Sequence, residues 1–130
     1  MAEMSNFLEN ALLNATLNAT TYTAPANIYV SLWTTDPTDA GSGTEVSTSG
    51  TGYARTAVTF GAPSNGVTTN SADVTFPTAT ASWGTVGWIG INDAVSSGNL
   101  LYHTALDASK TIASGDIFKI STGNLSVTLA

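Results

Sequence analysis

Catalysis needs a side chain that can move a proton, attack or hold a metal, and this chain offers few. His103 is its only histidine, and it has no cysteine. Disulfides, thiolate catalysis and Cys-ligated metals are therefore excluded. A Ser-His-Asp triad would have to be built on His103, and no Gly-x-Ser-x-Gly elbow presents a serine to it. His103 falls within the alternating segment Leu100–Ala105 and reads as a half-buried strand histidine. A zinc site with one histidine would need several carboxylates. Paired carboxylates could hydrolyse glycosides, and the candidates are Asp36, Asp39, Glu45, Asp73, Asp93, Asp107 and Asp116. Each reads more simply as turn chemistry, as in Asp36-Pro37, Asn92-Asp93 and Gly115-Asp116. Asp36, Asp39 and Glu45 share one loop and offer hard oxygen to a cation such as calcium, though not at EF-hand spacing. The alternative is a solvated acidic loop. The sequence thus assigns no catalytic, cofactor-binding or metal-binding residue, and no cofactor is expected.

Aromatic residues give a second kind of site. Trp33, Trp83 and Trp88, with Tyr22, Tyr29, Tyr53 and Tyr102, could form a platform on which sugars stack; core packing is the competing account. By plain alternation Trp88 shares a face with Val86 while Ile89 and Ile91 take the other. Both faces of that strand are then apolar, as in a strand covered on two sides.

The elements that would position these groups follow from composition and period. The chain has 130 residues, a single domain's length. Only 9% are charged, against roughly 25% in a typical soluble domain. Polarity is carried instead by 22 Thr, 14 Ser and 10 Asn. Three basic against nine acidic residues give a net charge of -6. Nucleic-acid binding is excluded because it needs clustered Lys and Arg to displace counterions, and an anionic membrane surface is disfavoured likewise. No apolar run is long enough to span a bilayer as a helix, and the start Met1–Asn6 lacks the basic residues of a signal peptide.

Residues 1–20 read as an N-terminal helical segment. Asn6 and Glu9 fit a capping box, and Met4, Leu8, Ala11, Leu12 and Ala15 fall near one face. Residues 26–130 read as strands and turns. Ile28, Val30 and Leu32 alternate with polar or aromatic neighbours; Thr56, Val58 and Phe60 point inward; Asn65-Gly66 signals a hairpin; Ala72, Val74 and Phe76 alternate up to Pro77. Gly84, Gly87 and Gly90 interleave the Thr85–Ile91 strand and suggest bulges or close backbone approach. Leu100–Ala105, Ile117–Ile120 and Leu125–Leu129 follow, and residues 36–52 form a long flexible loop. The expected fold is all-β: one domain over 1–130, an antiparallel β-sandwich or jelly-roll-like barrel of about seven or eight strands with a short N-terminal helix.

A chemically quiet β-domain with so few charges leaves its strand edges poorly defended against pairing. That suits a structural subunit packed against neighbours rather than an enzyme. Particular segments carry a resemblance: Asp36–Asp39 before the Gly-rich loop, Tyr53–Arg55 with Ala57–Phe60, Asn70–Pro77, Ala81–Val86, Gly115–Ile120 and Leu125–Leu129. Through them nearly the whole chain resembles a family of small tailed-phage virion proteins, often labelled tail-fibre-like. Similar β-domains act as capsid decoration, or cement, proteins. The resemblance implies a non-enzymatic virion component made in the host cytoplasm. The expected role is decoration of the capsid's outer surface, with the major capsid protein and further copies of this chain, as a homodimer or homotrimer, as partners. The alternative is a tail-fibre or baseplate subunit that binds a receptor or another tail protein.

Overall fold

The computed structural model describes residues 2–129. Strand β1 (Glu3–Met4) leads into helix α1 (Asn6–Leu17), and the helix starts one residue earlier in its capping than the sequence suggests. Ser5 is extended, and its Oγ accepts the Leu8 amide at 3.2 Å. Met4 is taken up by strand pairing, opposite Tyr102, so it is not a helix residue. The inward helix face is otherwise as expected, with Leu8 buried and Ala11, Leu12 and Ala15 half-buried. Leu13 and Leu17 point outward, 55% and 75% exposed.

The remaining elements are β2 (Ile28–Trp33), β3 (Thr56–Val58), β4 (Val67–Thr69), β5 (Val74–Thr75), β6 (Gly84–Asn92), β7 (Leu100–Ile112), β8 (Lys119–Ile120) and β9 (Ser126–Thr128). A five-stranded sheet has the order β1-β7-β6-β2-β3, and two ribbons, β4-β9 and β5-β8, accompany it; every pairing is antiparallel. The fold is an all-β sandwich, and among the described residues no sheet closes into a barrel. Among the described residues, six of the nine strands have only two or three residues.

Two buried layers flank the sheet. On one face Val30, Leu32, Val86, Ile89 and Ile91 meet Val74, Phe76, Trp83, Phe118, Leu125 and Val127 from the ribbons and their loops. Within this layer Tyr53 lies edge-on to Trp83 at 5.4 Å, and Phe76 edge-on to Phe118 at 5.6 Å. Plain alternation along β6 is broken. The β6–β7 register slips between Val86 and Trp88, and Gly87 lies inside the slip. This bulge brings Val86 onto the core face with Ile89 and Ile91 and leaves Trp88 on the other.

The second face carries Ser31, Trp33, Gly90, Asn92 and His103. Helix α1 and the loop after β2 cover it: the Ser5 amide donates to the Leu101 carbonyl at 2.8 Å, and the Asn6 amide to the Asp39 carbonyl at 2.9 Å. A side chain at Gly90 would place its Cβ 2.7 Å from Leu100 Cδ1, 2.8 Å from Ser31 Oγ and 3.0 Å from Trp33 Nε1. The glycine is what leaves room for the Ser31, Trp33 and Leu100 side chains of the neighbouring strands to meet over the sheet. Residues 36–52 are tied to the body at several points: Val46 is buried and its amide donates to the Leu32 carbonyl, while Glu45 bridges to Trp33.

Candidate functional site

The second face builds a polar site from neighbouring strands. Trp33 on β2 donates its indole N–H to Ser31 Oγ at 2.8 Å, and Ser31 donates to Asn92 Oδ1 on β6 at 2.6 Å. Ser31 and Asn92 face each other because β2 and β6 pair Tyr29 with Asn92 and Ser31 with Gly90. The relay fixes the Asn92 carboxamide. Asn92 is only 3% exposed, yet its Nδ2 has no hydrogen-bond partner among the described residues. That nitrogen is not sealed in, because among the described residues no sealed side-chain nitrogen or oxygen lacks a partner. It opens onto a cavity of about 290 Å³ walled by the start of α1 (Ser5, Asn6, Phe7), by Asp39–Gly41 and by Ser97–Leu100, with Trp33 and Arg55 completing it.

Two side-chain clusters flank this cavity. Arg55 forms a two-pronged ion pair with Glu45, Nε to Oε2 at 2.9 Å and Nη2 to Oε1 at 2.8 Å. Its Nη1 donates to the carbonyls of Ala94 and Ser97 at 3.0 and 2.8 Å. The Glu45 hydrogen bond raises the guanidinium's already high pKa. Tyr53 donates to Glu45 Oε2 at 2.6 Å and accepts the Leu32 amide at 3.0 Å. Burial, then the Glu45 contact, pushes its phenol well above the ordinary value of 10.0. On the other side, buried His103 meets Asp39 Oδ1 through Nε2 at 2.8 Å, and its Nδ1 lies 4.0 Å from Asp36 Oδ1. Both ring nitrogens thus face carboxylates, and neither faces a hydroxyl nucleophile as a triad would require.

The sequence candidates are dispersed. Glu45 turns away from Asp36 and Asp39 to pair with Arg55, so the three carboxylates of that loop do not converge. Asp39 instead joins His103 and Glu3, each offering a ligand atom within 4.8 Å of the others. Asp36 accepts the Thr38 amide, Asp93 the Asn99 amide and Asp116 the Ala113 amide, which is local turn chemistry. Asp73 accepts from the Thr122 amide and hydroxyl and pairs with Lys119 at 3.2 Å; those bonds, the amide's first, lower its pKa. Asp107 lines a separate groove. The aromatic platform does not assemble either. Trp83 and Tyr53 belong to the core, Trp88 is half-buried, and only Trp33 of that set reaches the cavity. Sequence reasoning missed Ser31, Asn92, Asn6 and Phe7. Gly90 was the available signal, since it marks where something must come close.

A family model described as Podophage GP4 fiber I protein gp80 matches residues 3–128. No curated protein matches the chain.

Proposed function

The chain belongs to the family of the podophage GP4 fiber I protein gp80, a family of phage structural proteins, and from that premise we propose that it is a tail-fibre subunit. The observation that carries this reading is the extent of the match, which covers α1 and every strand rather than one motif. On this reading the chain works by binding, through its surface and the cavity beside α1, and not by catalysis. Copies of the chain associate with one another, and the outward pair Leu13 and Leu17 on α1 supplies apolar area for that contact. A second reading, capsid decoration on the outer face of the major capsid protein, is favoured by the low charge of this small sandwich, which leaves its strand edges open to packing against neighbours. Quantitative mass spectrometry on separated heads and tails tests the two. A few to tens of copies travelling with tails is the expected result. Hundreds of copies with heads would overturn the fibre reading in favour of decoration.

A further inference from the structure

We propose that the cavity beside the start of α1 is a binding site for one uncharged sugar ring. As an account of receptor contact this rests on the fibre reading; the chemistry of the cavity does not.

The first argument is the Asn92 carboxamide. A buried amide normally has its hydrogen bonds made, and leaving a donor without a partner costs stability. Here Trp33 and Ser31 hold the carboxamide by its oxygen, so that the nitrogen faces the cavity with two N–H donors available. Asn6 lines the same cavity, and its side chain has no hydrogen bond among the described residues. Asp39 adds a carboxylate whose Oδ1 is engaged by His103. Amides and a carboxylate together offer both donors and acceptors, which is what a ring of hydroxyls needs, because each hydroxyl does both.

The second argument is apolar. Phe7 lies at the cavity 42% exposed, an aromatic face for the C–H side of a ring. The third is size. Small-molecule sites begin at roughly 300 Å³, so a cavity of about 290 Å³ takes one small ring.

Charge selects among the possible ligands. Arg55 and the helix start would together favour an anion. However, the guanidinium is already neutralised by Glu45 and holds two carbonyls, Asp39 stands at the cavity, and the chain carries a net charge of -6. An anionic ligand would meet repulsion without a free cation to offset it. An uncharged ligand meets neither.

The test is nuclear magnetic resonance on the isotope-labelled full chain. It is titrated with methyl glycosides of glucose, galactose, mannose, rhamnose and N-acetylglucosamine, and with glucuronic acid. The expected result is saturable movement of the Asn92 and Asn6 side-chain amide signals and the Trp33 indole signal with at least one uncharged sugar. Binding should weaken about tenfold in Asn6→Ala, the change that 1.4 kcal/mol represents. That substitution removes no hydrogen bond of the fold, so the test survives if Asn92→Ala fails to fold. Absence of saturable shifts at these residues with every uncharged sugar would overturn the proposal, as would glucuronic acid binding more tightly than all of them. The fibre reading is judged separately. Shifts with a head-associated protein would leave the sugar site standing without its receptor role, and tail association without shifts would do the reverse.

Discussion

Replacing Glu45 by glutamine removes the carboxylate that neutralises Arg55 while keeping the side chain's shape. Glu45 accepts three hydrogen bonds, from Tyr53 Oη, Arg55 Nε and Arg55 Nη2. A glutamine has one carbonyl oxygen and one amide nitrogen. Whichever way it is turned, its N–H₂ faces a donor. Breaking a buried ion pair from one side costs about 3–5 kcal/mol. Here the side chains of Arg55 and Glu45 keep 10% and 22% exposure, and Arg55 retains the Ala94 and Ser97 carbonyls. Water and those carbonyls recover part of the loss, which leaves about 2–3 kcal/mol. For a domain of this length that is a fall in Tm of roughly 8–12 °C. The assay is thermal and urea unfolding of the full chain, with exposed Asp107→Asn as a control expected to stay within about 0.5 kcal/mol. A cycle with Arg55→Met completes it, and the double variant should lose clearly less than the sum of the singles. If Glu45→Gln matched the control, or if the two losses simply added, the ion pair would not be bracing the loops it joins.

Gly90→Ala should destabilise by about 1–3 kcal/mol, since the added methyl meets Leu100, Ser31 and Trp33 at 3.0 Å or less; urea unfolding measures this, and an unchanged midpoint would mean that these side chains are loosely packed over Gly90. Stability should also fall as the pH rises past 10. The phenol of Tyr53 has its pKa raised in the fold by burial and Glu45, so above its ordinary value of 10.0 the unfolded chain loses that proton first and is favoured. Denaturation midpoints across pH 8–11 would show the loss, and a flat profile would contradict the burial of Tyr53. Finally, the double change Leu13→Ser with Leu17→Ser should leave Tm within about 4 °C, both side chains being exposed, while lowering any self-association seen by sedimentation. Unaltered association would place the contact between copies elsewhere.

Much of the fold was legible because its signals are local. The Leu8, Ala11, Leu12, Ala15 face marks α1 without reference to the rest of the chain. Asn65 and Gly66, at φ of 53° and 77°, make the tight turn their types predict, with Ser64 and Val67 exchanging backbone hydrogen bonds. What stayed hidden was set by partners far along the chain. β1 exists because Glu3 and Met4 lie against His103 and Tyr102. β7 runs past Ala105 to Ile112 because its second half pairs with Gly84–Val86, although residues 107–111 are exposed and show no apolar alternation. Capping preference alone puts Asn6 and Ser5 nearly level, and only the pairing of Met4 decides between them.

The cavity was illegible for the same reason, carried further. Its relay joins Ser31 to Asn92, 61 residues apart, and its brace joins Arg55 to the carbonyls of Ala94 and Ser97, 39 and 42 residues away. No spacing rule reaches that distance. The carboxylates that do share a loop were the wrong group to follow, because pairing of Glu45 with the end of β2 turns its side chain toward Tyr53 and Arg55. Gly90 carried the usable information. A glycine inside a buried strand says that something approaches closely, and here the approach is made by Trp33, Leu100 and Ser31. A larger residue at 90 would displace the indole, and with it the Ser31 hydroxyl that holds Asn92. The orientation of the carboxamide toward the cavity therefore depends on the absence of a side chain two register positions away, opposite Ser31.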